Sequence, residues 1–202
     1  MTNGPQRRFT LEKGRLEAFS DGVLAVIITI MVLELKEPNG SDLAALHAVA
    51  PTFVAYVISF ANVGIYWNNH HHLLRAADGI DGRAMWANLF LLFWLSLIPF
   101  ATAWVGQNPQ SAVPTAVYSA VLLCSGMAFF TLSQVLAAIN GPESTVARAI
   151  GTDWKGRVSL IAYALAIAAA FFVPWVSDGL IVAVAILWFV PDRRVERAIG
   201  GD

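Results

Sequence analysis

Residues 15–35, RLEAFSDGVLAVIITIMVLEL, join two properties that rarely coexist. The run is apolar for about the 20 residues that an α-helix needs to cross a bilayer. Its first turns nevertheless carry Arg15, Glu17, Ser20 and Asp21. Moving one such charge toward hydrocarbon costs roughly 2.5–3.5 kcal/mol even on lenient insertion scales, so ionisable side chains there face protein or water and mark functional positions. The segment therefore reads as both a membrane span and a site.

Composition agrees with a membrane setting. Of 202 residues, 57% are hydrophobic and 13% are charged, against about 25% charged in soluble domains. The net charge of −1 comes without a basic, aromatic-interleaved stripe, which excludes nucleic acid as a partner and leaves the lipid bilayer. Charged residues, prolines and glycines mark off six apolar stretches, at about 16–35, 49–69, 85–105, 112–139, 157–176 and 178–191. The first five reach spanning length. The last is short and needs Arg193 and Arg194 to snorkel at its end. The expected fold is all-α, a single domain over 1–202 with six transmembrane helices. The amino terminus lacks a small-residue cleavage site, so the first helix is expected to be retained. Cys124 lies in an apolar run and reads as a structural thiol.

Basic residues set the orientation, because they hold loops on the cytoplasmic side far more strongly than acidic ones do. Six crossings place Arg7, Arg8, Lys13, Arg15, Arg75, Arg83, Arg148, Lys155, Arg157, Arg193, Arg194 and Arg197 on one side, leaving only Lys36 opposite. Both termini are accordingly expected in the cytoplasm of a cell-membrane protein.

The same topology brings polar side chains to a common depth. The second helix returns His70 and His71 to the level of Arg15, and Asn88 enters there on the third. Arg15 and Asp21, six residues apart, project about 240 degrees from each other and cannot pair on one face. Glu17 and Asp21 are like charges one turn apart, so each needs a cation or donor from another helix. Tyr56, Ser59, Phe60, Val63, Trp67, His70 and Leu74 recur at helical spacing as a stripe expected to face protein. The run His70, His71, His72 suggests a metal site, but consecutive helical residues point about 100 degrees apart and cannot reach one ion. No His-x-x-x-His or Glu-x-x-His spacing accompanies it, so neither a metal nor a cofactor is expected. A hydrogen bond from one of these histidines to the first helix is the better reading.

Arg15, Phe19, Ser20 and Asp21 form R-x-x-x-F-S-D, which resembles the signature of the endo-lysosomal potassium channel family, transmembrane protein 175, and its prokaryotic relatives. Tyr56, Ser59, Phe60, Trp67, His70 and His71 are similar to that family's second-helix pattern. Asn88, Ser96, Leu97, Ile98, Pro99 and Phe100 are similar to its third. These motifs cover residues 15–100, and the second half adds a compatible helix count.

The resemblance implies a potassium-permeable channel in which a single six-helix unit forms a homotetramer, with the first helix, about 15–35, lining a central pore in a fourfold assembly. It also implies a network of Arg15, Phe19, Ser20, Asp21, Trp67, His70, His71 and Asn88 bracing that helix. No TVGYG-like filter loop occurs in this sequence. Distance from the motif aspartate transfers the pore positions to Val26, Thr29 and Leu33. At 100 degrees per residue they fall near 140, 80 and 120 degrees from Asp21, one narrow stripe. That spacing alone also suits ordinary helix packing. Within the resemblance, Val26 and Leu33 constrict the path and Thr29 hydroxyls meet a transient K+. Val26 is smaller than the isoleucine or leucine usual at that constriction. A proton-coupled secondary transporter is the alternative, although no inverted repeat is visible. An enzyme is not expected, since Gly-x-Ser-x-Gly and zinc-protease signatures are missing.

Overall fold

The computed structural model describes the backbone of residues 5–151 and 153–189, and side chains from residue 13 onward. The side chains of Arg7 and Arg8, and Arg193, Arg194 and Arg197, lie outside these described residues. Within them every regular element is a helix: α1 (Pro5–Leu33), α2 (Leu43–Ala48), α3 (Ala50–Ala76), α4 (Gly82–Ser96), α5 (Ile98–Gln107), α6 (Ala112–Asn140), α7 (Thr145–Ile150), α8 (Trp154–Ala170) and α9 (Pro174–Phe189).

Local chemistry explains most boundaries. Asp42, Asp81, Ser144 and Asp153 each accept a backbone N–H at the start of a helix, satisfying groups that helix geometry leaves without partners. Proline starts α9 at Pro174 and lies in the first turns of α3 and α5, where its missing N–H costs nothing. Pro99 also corrects the reading of 85–105 as one uninterrupted helix. The chain breaks at Leu97 between α4 and α5, because a proline there cannot donate to the preceding turn. The Ser96 hydroxyl satisfies the Phe93 carbonyl at the break, at 2.7 Å.

Four segments are long and apolar enough to cross a membrane: 13–33, α3, the broken pair α4–α5 taken together, and α6. α8, with 17 residues, and α9, with 16, are shorter. α3 runs further than its apolar stretch, through the three histidines to Ala76, and α8 stops earlier than expected, before Pro174. The short α2 and α7 lie in segments read as loops.

α6 packs against α4 and α8, α8 against α9, and α3 against α5. Leu74, Leu91, Leu122, Leu132 and Leu136 lie fully buried among them. α1 rests on α3, α4 and α5 at one side of this bundle. Of its described side chains it buries only a stripe of Leu16, Ser20, Leu24, Ile27 and Met31, whose three- and four-residue spacing defines one helical face.

Candidate functional site

α1 and α3 run antiparallel, and three contacts one turn apart tie them. Lys13 Nζ donates to the Ala77 and Arg75 carbonyls at 2.7 and 3.3 Å, at the end of α3 where the helix dipole is negative. His71 Nδ1 lies 2.9 Å from the Glu17 carboxylate. Trp67 Nε1 donates to Asp21 Oδ1 at 3.0 Å, and the Trp67 ring stacks on His71. Positions 13, 17 and 21 thus descend α1 as 75, 71 and 67 ascend α3. The like charges Glu17 and Asp21 each find the external donor they require.

A second chain of hydrogen bonds lies deeper and adds α4. His70 Nε2 is 2.7 Å from Asn88 Oδ1, Asn88 Nδ2 donates to Ser20 Oγ at 2.9 Å, and Ser20 Oγ donates to the Leu16 carbonyl at 2.8 Å. Ser20 and Asn88 are fully buried and His70 is 1% exposed. The Asn88 oxygen can only accept, so His70 carries its proton on Nε2. Its Nδ1 is then a buried lone pair, and no described group hydrogen-bonds to it.

The structure therefore brings Ser20, Asp21, Trp67, His70, His71 and Asn88 to the α1–α3–α4 contact. It does not bring Arg15 or Phe19 there. Both are exposed, because they project about 120 and 160 degrees from Asp21, toward the other side of α1. Phe60 and Trp67 are likewise half out of the stripe expected to face protein. His72 projects away from both its neighbours' partners, and among the described residues no three His, Cys, Asp or Glu side chains converge as metal ligands. Lys13 and Glu17 belong to the site although the motif omits them. Their four-residue spacing with Asp21 was the available signal.

The opposite face of α1 is exposed among the described residues. Val26 is 54% exposed, Leu33 is 79% exposed, and Thr29 is exposed as well. The buried stripe centres about 260 degrees from Asp21, so Thr29, near 80 degrees, lies diametrically opposite it. The Thr29 hydroxyl donates to the Val26 and Ala25 carbonyls, at 2.9 and 3.1 Å. Its proton is thereby occupied, and the exposed oxygen retains its capacity to accept. Beside this face a groove of about 880 Å³ runs between α1 and α5, floored by Ala18, Gly22, Val26 and Ile30 and walled by Pro99 and Ala103.

Comparison with known proteins bears on this geometry. The sequence model of the family described as "Endosomal/lysosomal potassium channel TMEM175" matches residues 15–99, the segment that holds the exposed face and all of the hydrogen-bonded side chains above except Lys13. A potassium channel of Chryseobacterium sp. (strain P1-3) is 49% identical over 189 residues, covering 94% of this chain and 98% of that protein. The chain belongs to the TMEM175 family. A potassium channel of Chamaesiphon minutus is 31% identical over 87% of this chain. The crystal structure of a lysosomal potassium-selective channel TMEM175 homolog from Chamaesiphon minutus superposes with a TM-score of 0.79 at 31% identity, over 91% of this chain and 98% of that one. Human TMEM175, named an endosomal/lysosomal proton channel, is 45% identical over 121 residues, which is 54% of this chain and 22% of the human protein. The family is one of ion channels, and this TMEM175 relative is not an enzyme.

Proposed function

We propose that this protein is a potassium-permeable channel of the cell membrane, a homotetramer whose α1 helices surround the ion path, with both termini in the cytoplasm and six crossings per protomer. It works without a bound cofactor. One observation carries this reading: a membrane-length helix fastens one face to its own bundle and leaves the other, with Thr29 at its centre, exposed among the described residues. The names of the bacterial relatives support potassium as the permeant ion.

The mechanism follows from side-chain chemistry. Val26 and Leu33, three and four residues on either side of Thr29, form apolar rings that bar ions by excluding water when narrow. An ion between them has shed part of its hydration shell. The exposed Thr29 oxygens, one from each copy, replace part of what it lost. So few fixed oxygens favour potassium, whose shell is held less tightly, without the strictness of a stacked carbonyl filter. The Lys13, Glu17 and Asp21 contacts and the Ser20–Asn88–His70 chain hold α1 in the orientation that keeps Thr29 on the axis.

Liposomes with a potassium gradient test this. Val26→Ala should raise the flux, and Thr29→Ala should reduce the preference for potassium over sodium. Unchanged flux and preference in both variants would refute the pore face. Transport that required an opposing proton gradient would instead identify a coupled transporter.

A further inference from the structure

A second site lies away from α1, at the end of the protomer where α3 begins and α5 ends. A groove of about 620 Å³ opens there, within the range of about 300–1,000 Å³ typical of small-molecule pockets. Its walls are apolar, built from Val54, Ile58, Val105 and Ile181. Asp178, on the first turns of α9, projects into it half-buried. Among the described residues the carboxylate has one hydrogen-bond partner, the Gln110 amide at 3.0 Å. No described lysine or arginine lines the groove, and its other titratable side chains are His47 and Tyr118, the latter engaged with Ser59 at 2.7 Å.

Gln110 reaches Asp178 from a left-handed backbone, with φ of 61°. A non-glycine residue holds that conformation only where its surroundings impose it. From this turn, closed by the Ser111 N–H on the Asn108 carbonyl, the Gln110 amide meets one oxygen of Asp178. A half-buried carboxylate beside apolar walls, with one neutral donor among the described residues, gains from a cation that enters the groove.

The walls decide which cation. Hard metal ions require several oxygen ligands around them, and this groove offers a single carboxylate amid methyl groups. An ammonium group on a hydrocarbon body matches both features: the charge meets Asp178 and the body covers Val54, Ile58, Val105 and Ile181. We infer that the groove binds an amphiphilic organic ammonium ion through Asp178. The occupant would bridge the ends of α3, α5 and α9, on the side of the bundle that does not carry α1.

The purified full-length chain decides this with two probes of one shape, 4-phenylbutylammonium and 4-phenylbutan-1-ol, titrated by calorimetry in the same detergent. The native protein should bind the ammonium at least tenfold more tightly. Asp178→Asn keeps an acceptor for Gln110 and should bring the two affinities together. Comparing variant with native protein cancels the partitioning of each compound into the micelle. Val54→Trp, at an exposed wall position, should weaken both probes tenfold or more. Equal affinities in the native protein would overturn the assignment even if Asp178→Asn failed to fold. So would a preference that survived Asp178→Asn, or binding unaffected by Val54→Trp. The readout is binding, so it stands whether or not the protein conducts.

Discussion

Asn88 is the residue on which the position of α1 depends most directly, and its replacement by leucine has a predictable magnitude. The side chain is fully buried, accepts from His70 at 2.7 Å and donates to Ser20 at 2.9 Å. Leucine keeps the branch at Cγ and leaves no cavity, so the loss of the two hydrogen bonds sets the minimum cost, to which the extra bulk of its methyl groups adds. Between membrane helices such a bond contributes about 0.6 kcal/mol on average and about 1.7 kcal/mol at most, so two give about 1.2–3.4 kcal/mol. The upper part of that range is expected. Ser20 keeps its bond to the Leu16 carbonyl, but His70 loses its Nε2 partner while its Nδ1 already has none, and a buried unpaired donor carries its full desolvation penalty. Reversible unfolding in mixed SDS micelles, followed by tryptophan fluorescence, measures the loss. A cycle with His70→Phe should recover about half of it, since that variant removes the orphaned donor. An Asn88→Leu protein within about 0.3 kcal/mol of native, the limit of additivity in such cycles, would refute the reasoning.

Other perturbations discriminate the remaining parts. Gly106→Ala builds a Cβ 2.9 Å from Thr52 Cα, where the backbones of α3 and α5 cross; the clash should cost about 1–3 kcal/mol, more than the ~1 kcal/mol gained in helix propensity, and a net stabilised variant would contradict the close crossing. Glu17→Gln still accepts from His71 but loses the charge of a partly exposed pair, so it should cost less than about 1 kcal/mol, an effect that disappears near 1 M salt, where the screening length is about 3 Å; a salt-independent loss would contradict it. Trp67→Phe removes the donor to Asp21 and should lower potassium flux more than Asp21→Asn, which still accepts that bond. The reverse order would show that the charge of Asp21, not its hydrogen bond, positions α1.

The legible parts of this molecule are those where periodicity and cost coincide. A carboxylate inside an apolar run must have a partner, so Asp21 announces an inter-helix contact before any coordinates, and antiparallel topology limits its partners to the end of α3 that carries Trp67 and His71. Asn88 is readable for the same reason. Arg15 was not, because a motif preserves spacing without saying which face each residue takes. The helix rotation places Arg15 on the exposed side, clear of any described partner. Lys13 shares the four-residue spacing of Glu17 and Asp21, but that spacing does not reveal its partners, which are backbone carbonyls that every sequence contains. The buried hydroxyl cluster of Ser59, Thr102 and Tyr118 joins residues 59, 102 and 118, a conjunction that no local pattern encodes. The break at Leu97 was signalled by Pro99, yet unbroken hydrophobicity across it concealed the interruption.

The contacts between α1 and α3 differ in kind from turn to turn: an ammonium on helix-end carbonyls, a carboxylate on an imidazole, a carboxylate on an indole N–H. A displacement of α1 by one turn would set Lys13 against His71 and press the Glu17 carboxylate toward Trp67 or toward the electronegative end of α3, according to its direction. Like a key with unequal teeth, the helix fits its neighbour at one height only. Sliding α1 along its axis must break all three contacts at once, whereas a small tilt or rotation about them need break none. In the proposed pore, whatever widens the path beside Val26 therefore swings that helix about the end that carries these contacts, and the largest excursions fall at Leu33, farthest from the teeth.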